Sequence, residues 1–179
     1  MASTSSKPNP LAAQPGQQGI DPRGPRFGAA ITTLLLAVTL IAGLTGVSVQ
    51  SGTTFAEHLA DPAFWLLVIV AFFFGWGAFG GIQRHPYGKV FKKLIQPRLK
   101  PATELENPKP PTFAQLIGFI IAVIGLLLAL IGVPYGLVVA AAFAFIAAFL
   151  NSVFGYCLGC QIYVLLARAG IVGRGGATA

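Results

Sequence analysis

Four long apolar runs divide the chain, and the polar stretches between them are short. The runs cover about 27–49, 63–83, 113–133 and 137–156, and apolar character persists after the last of them to 167. Each supplies about the 20 residues that an α-helix needs to cross about 30 Å of hydrocarbon at 1.5 Å per residue. The pattern predicts an all-α membrane protein, a bundle of four transmembrane helices. The fourth run is too long for one straight crossing. Gly155 or Gly159 is expected to bend it, leaving an interfacial continuation to 167.

Local signals sharpen this outline. Asp61-Pro62 is a helix start, an N-cap acceptor followed by proline at N1. Thr32, Thr33, Thr39 and Thr45 can bond back to their own helix and need no other partner. In the third run Gly118, Ala122, Gly125, Ala129 and Gly132 recur at spacings of four and three, one stripe of small residues. Helices in lipid approach most closely along such stripes, so this one is expected to face the bundle centre. Gly77-x-x-x-Gly81 is a weaker signal of the same kind, and Pro134-Tyr135-Gly136 reads as a tight turn.

The polar stretches read as follows. Residues 1–20 are rich in Ser, Pro, Gln and Gly, and are expected to form a disordered tail. Residues 170–179 are expected to form a flexible one, so the membrane domain spans 21–169. Asp21-Pro22-Arg23-Gly24-Pro25-Arg26-Phe27 carries two prolines expected to hold it out of a helix. It is either a charged flank of the first span or a folded cap over one mouth of the bundle. Residues 84–111 hold seven basic and two acidic residues. Within them 90–95 reads as a short amphipathic helix with Phe91, Leu94 and Ile95 toward lipid. Pro97, Pro101, Pro108, Pro110 and Pro111 are expected to keep the rest extended.

Composition supports the membrane reading. The 179 residues are 55% hydrophobic and 9% charged, against about 25% charged in a soluble domain. The net charge of +7 does not indicate nucleic acid, because the charges sit in the segments flanking apolar runs. All twelve Lys and Arg fall in the N-terminal segment, the middle loop and the C-terminal segment, and none falls in the other two loops. With four spans those three segments share one side, which the positive-inside bias makes cytoplasmic. Both termini are then cytoplasmic.

The chemistry concentrates near the end of the fourth run, in Asn151-Ser152-Val153-Phe154-Gly155-Tyr156-Cys157-Leu158-Gly159-Cys160-Gln161-Ile162-Tyr163. Cys157 and Cys160 are the only cysteines of the chain and stand as C-x-x-C. On a helix they would be neighbours on one face. Cysteine can be a small buried apolar residue and no more. Alternatively the pair is a redox dithiol, whose spacing commonly lowers the first thiol's pKa. In the reducing cytoplasm a permanent disulfide is not expected. Two thiolates can also hold a soft metal such as Cu(I), with His85 as third ligand, or pass on a sulfur-bearing substrate. No cofactor is required by any motif: G-x-x-x-x-G-K-[ST], G-x-G-x-x-G and H-E-x-x-H are all absent from the sequence. Asp21, Arg23, Arg26 and Arg84 form a possible inner-face cap or anion site, or else a face for lipid headgroups.

Three motifs in order, the Asp21–Phe27 stretch, Glu106-Asn-Pro-Lys-Pro-Pro-Thr-Phe-Ala-Gln115 with Gly118, and Asn151 with Gly155-Tyr-Cys-Leu-Gly-Cys-Gln-Ile-Tyr163, resemble an integral-membrane family of bacteria, domain of unknown function 4395. The resemblance covers about 20–166 and departs at Asn107, where an acidic residue is expected. It implies a four-helix protein of the bacterial inner membrane, often encoded beside thioredoxin-like proteins and rhodanese-type sulfurtransferases, and brings no established activity. The resulting expectation is a membrane partner in thiol redox or sulfur transfer through Cys157 and Cys160, with Cys160 the more buried. The alternatives are a small transporter or metal-handling protein, for which a homodimer would widen the path, and a structural anchor that docks soluble partners on its basic loop.

Overall fold

The apolar runs fold into four long helices, each long and apolar enough to cross a membrane. They are α1 (Arg23–Thr45), α3 (Pro62–Gly80), α5 (Lys109–Leu130) and α6 (Gly136–Phe154). Three short helices complete the set: α2 (Phe55–Ala60), α4 (Pro86–Val90) and α7 (Leu158–Arg168). The computed structural model describes residues 11–13 and 16–172. Of the disordered tail expected over 1–20, residues 1–10 and 14–15 lie outside the described residues, as do 173–179 of the flexible tail expected over 170–179. Within them there is no strand, only isolated bridges.

Neighbouring long helices close a ring in the order α1, α3, α5, α6 and back to α1. Its centre is filled by Leu36, Leu67, Val70, Ala122, Leu137 and Ala141, all buried. On α5, Gly118, Ala122, Gly125 and Ala129 are buried. A β-carbon on Gly118 would meet the Phe74 ring at 2.9 Å, and one on Gly125 would lie 2.5 Å from Ala140 Cβ. The missing side chains thus let α3 and α6 approach α5. Gly132 lies beyond the end of α5 in left-handed backbone (φ 73°), with the Thr53 carbonyl 3.2 Å from where its β-carbon would stand. On α3, Gly77 is buried against Gln115, but Gly81 is past the helix end with nothing near it. The second half of that close-approach pair is therefore a helix stop.

Helix boundaries follow local chemistry. Asp61 caps α3 by accepting from the Ala63 N–H at 2.9 Å, with Pro62 at N1. The four threonines of α1 each donate to the carbonyl four residues back, at 2.8–3.0 Å. Two expectations about proline are corrected. Pro22 and Pro25 do not keep 21–27 out of a helix, since α1 starts at Arg23. Pro110 and Pro111 likewise lie in the first turn of α5. The N–H groups of a first turn have no intrahelical partner, so proline there removes nothing.

The helices give the molecule two ends. One holds residues 46–61 and the α5–α6 turn, tied by the Tyr135 N–H to the Ser48 carbonyl at 2.8 Å. Here Asp61 is buried and also accepts from the Ser48 hydroxyl at 2.8 Å. At the other end α4 runs into a wider π-type turn over Phe91–Ile95. Phe91 does not face outward as the amphipathic reading expects; it is 3% exposed and packs on Phe27 with ring centroids 6.0 Å apart. Over the same end, part of the N-terminal stretch expected to lack structure is fixed. The Ile20 and Glu106 main chains exchange two hydrogen bonds of 2.9 Å, Ala13 N–H donates to the Leu105 carbonyl, and Asn107 N–H to that of Leu11.

Candidate functional site

The site begins where α6 stops. Gly155 adopts left-handed backbone (φ 67°), which glycine takes without a side-chain clash. The N–H groups of Gly155 and Tyr156 turn back onto the carbonyls of Asn151 and Leu150, both at 3.1 Å. Residues 155–157 are then non-helical, and α7 sets off in a new direction. The bend expected at Gly155 or Gly159 falls at Gly155. Gly159 serves helix packing instead, since a β-carbon on it would lie 2.5 Å from Ala114 Cβ and 2.6 Å from Ala114 Cα. Its bare backbone lets α7 lie directly on the start of α5, where Tyr163 also meets Phe113 with centroids 5.6 Å apart.

The cysteines are placed by this break. They do not share one helix face, as the spacing alone suggests. Cys157 is the N-cap of α7 (φ −87°, ψ 99°), and its sulfur accepts from the Cys160 N–H at 3.2 Å. Cys160 sits in the first turn. Their Cα atoms are 5.2 Å apart, within disulfide range, and the two sulfurs are bonded as a disulfide. Free thiols are the expectation from the sequence; the N-cap geometry instead holds the two sulfurs together. Cys160 is 4% exposed, whereas Cys157 is half-buried.

The disulfide forms part of the wall of a cavity of about 280 Å³ between α1, α5, α6 and α7. Most of the wall is apolar. Its polar members include Arg26, Glu106, Gln115, Asn151 and Gln161. The amides of Gln115, Asn151 and Gln161 make no side-chain hydrogen bond among the described residues. Arg26 lies across Gly155, its guanidinium carbon 3.1 Å from the position a β-carbon would take, and it donates to the Val153 carbonyl at 3.4 Å. Burial pushes the Glu106 carboxyl above the ordinary carboxylate range, while the Arg26 charge pulls it the other way.

The expected anion site is split. Arg23 reaches Asp21 with two nitrogens at 2.9 and 2.6 Å and also donates to the Lys100 carbonyl at 3.0 Å. The Arg23 hydrogen bond holds the Asp21 carboxyl below its usual range. This pair is a closed structural clasp. Arg84 is exposed on an outer groove with Lys109 and Tyr163. Of the four residues, only Arg26 joins the cysteines.

His85 also stands apart. It is 3% exposed and caps α4, where Nδ1 accepts from the Tyr87 N–H at 3.3 Å and Nε2 is 3.0 Å from the Phe73 carbonyl. Burial lowers its pKa, and the Phe73 hydrogen bond opposes the shift. Both ring nitrogens are engaged, and it lines a separate cavity of about 50 Å³. It is not the third ligand of the cysteines, and no group of three His, Cys, Asp or Glu positioned for a metal occurs among the described residues. Sequence reasoning passed over Glu106, Gln115, Asn151 and Gln161 as site residues. The signal that could have found them is their place as isolated polar residues at the margins of apolar runs.

A family model whose description is Domain of unknown function (DUF4395) matches residues 20–168. No curated protein and no solved structure matches the chain.

Proposed function

We propose, for a chain that belongs to the DUF4395 family, that it is a membrane-embedded thiol–disulfide exchange protein working through Cys157 and Cys160. The single observation that carries this reading is the unequal pair: a half-buried sulfur at a helix N-cap, joined to one that is buried. Insertion in a membrane is supported by the outward faces of the helices, where Leu34, Phe79, Ile131 and Phe143 are 63–74% exposed. Apolar surface of this kind is not sustained in water. The basic residues at the end that holds the cysteines support a cytoplasmic site, with both termini on that side. Within the proposal the membrane is a bacterial inner membrane.

The chemistry follows from the placement. A thiolate of a soluble dithiol partner, of the thioredoxin-like kind that the family resemblance suggests, attacks Cys157 Sγ. The Cys157–Cys160 bond breaks and Cys160 leaves as thiolate. The partner's second thiol then attacks its own sulfur in the mixed disulfide and frees Cys157. Two electrons and two protons pass from the partner to the chain. Cys157 stands at the N-terminal end of α7, where unpaired N–H groups and the helix dipole face a sulfur that carries charge during exchange. Cytoplasmic disulfides are characteristically transient and catalytic, which agrees with this cycle.

The test is to mix the purified chain with a reduced thioredoxin-type protein, quench with an alkylating reagent, and weigh the peptide that holds both cysteines. Conversion of disulfide to dithiol is the expected result, together with a mixed disulfide on Cys157, caught by the alkylating quench, when the disulfide form of the chain meets a partner that lacks its second cysteine. A peptide whose sulfurs keep one state under every oxidant and reductant supply would reject the reading.

A further inference from the structure

The disulfide is wall to a cavity whose other features have no part in exchange with a soluble protein. Much of its wall is apolar, with Ile121, Ala144 and Ala147 of α5 and α6 among the lining residues. The amides of Gln115, Asn151 and Gln161 line the same space with no side-chain partner of their own among the described residues. These amides are half-buried, and their donors and acceptors are open to water or to a guest. The fitting guest has an apolar body and carbonyl oxygens.

We infer that the cavity binds a lipid-soluble quinone, which takes the two electrons of the Cys157–Cys160 dithiol. The inference rests on the redox reading above and supplies its second substrate. A quinone ring is planar and apolar, its two oxygens accept hydrogen bonds from amides, and it reaches an intramembrane cavity from the lipid. A lipid acyl chain would leave the amides unpaired. A free sulfur anion would meet one guanidinium, that of Arg26, in a wall that is otherwise mostly apolar and does not solvate charge.

The step balances. The two S–H bonds of Cys157 and Cys160 break and the S–S bond forms. Two electrons enter the ring, and one proton goes to each ring oxygen, giving the quinol. Glu106 lies in the same wall, and burial raises its affinity for a proton. It is the group on hand to carry a proton from sulfur toward oxygen. Electrons then run from soluble thiols to the quinone pool.

The experiment uses the full chain in lipid nanodiscs, reduced, freed of reductant and kept anaerobic. The probe is a short-chain ubiquinone with every ring position substituted, so that thiols cannot add to the ring. Absorbance reads quinol, and alkylation with mass analysis reads the cysteines. Quinol and disulfide are expected to appear together in equal amounts. Ala147→Phe fills the cavity and is expected to slow quinol formation by about tenfold or more. Asn151→Leu, which removes an amide at nearly constant volume, is expected to slow it as well and guards against misfolding of the first variant. If the chain exchanges with the soluble dithiol but never reduces quinone, or if both folded variants reduce it at the wild-type rate, the quinone inference is overturned. Retention of phospholipid in the cavity with no effect of added quinone overturns it too. Failure of the soluble exchange itself would instead reject the underlying redox reading.

Discussion

Gly159→Ala tests how the site is held. The added β-carbon would stand 2.5 Å from Ala114 Cβ and 2.6 Å from Ala114 Cα, part of the α5 backbone. Carbon atoms pack comfortably at about 3.5–4.0 Å, so α7 must retreat by about 1 Å or leave α5. Overpacking of this order costs about 1–3 kcal/mol. If the cost falls on the docking of α7, the undocked fraction rises by about 5- to 150-fold. Cys160, 4% exposed when α7 is docked, becomes reachable in that fraction. The assay is the rate of maleimide labelling of each cysteine in reduced protein, resolved by mass. Cys160 labelling should accelerate by about that factor, with little change at half-buried Cys157. Gly88→Ala is the control, because its β-carbon would meet only the Ile82 carbonyl at an ordinary 3.5 Å. Ala114→Gly should restore part of the protection. Equal Cys160 rates in Gly159→Ala and the control would refute the claim that the bare glycine seats α7.

Three further outcomes are expected. Asp61→Ala removes the α3 cap and strands the Ser48 hydroxyl, so thermal unfolding in detergent should show a loss of about 2–4 kcal/mol, and Asp61→Asn should lose less. Asp21→Asn should cost about 1 kcal/mol or less, because the Arg23 side chain is 33% exposed. Since the folded pKa of Asp21 lies below its ordinary 3.8, the contribution is complete above that value and disappears as pH falls through the lowered one, which unfolding curves at acid pH would reveal. Glu106 has the opposite sign: its folded pKa is raised above 4.5, so stability from its protonated form is lost as pH rises through the raised value. Glu106→Gln should flatten that part of the profile and leave stability at neutral pH equal or greater, and a steeper loss would contradict it.

The long helices were legible because lipid-length apolar runs leave few alternatives, and Asp61-Pro62 because a cap is a local device. The small stripe on α5 was legible from spacing alone, apart from Gly132, which the helix end excludes. The site was legible only at its cysteines. Their C-x-x-C spacing suggested a helix face, but left-handed Gly155 interrupts the helix and turns Cys157 into a cap. Arg23, Arg26 and Arg84 looked alike as flanking charges, yet Asp21 neutralises the first, the cavity beside the disulfide receives the second, and the third faces outward. Such differences depend on what other helices bring, which no single stretch encodes. Glu106, Asn151 and Gln161 line one cavity for the same reason, each delivered by a different part of the chain.

The main-chain bonds between residues 11–20 and 105–107 have a consequence for the order of assembly. The first strip of backbone is synthesised long before its partner, with two long apolar helices and a basic loop in between. It must wait until residues 105–107 have emerged. The mouth above the cysteines is therefore closed late, by a contact of long sequence separation, which is slow to form. Cys157 and Cys160 come later still. A ribosome stalled before residue 105 would hold a nascent chain whose first two helices can pair, but whose roof cannot yet be built.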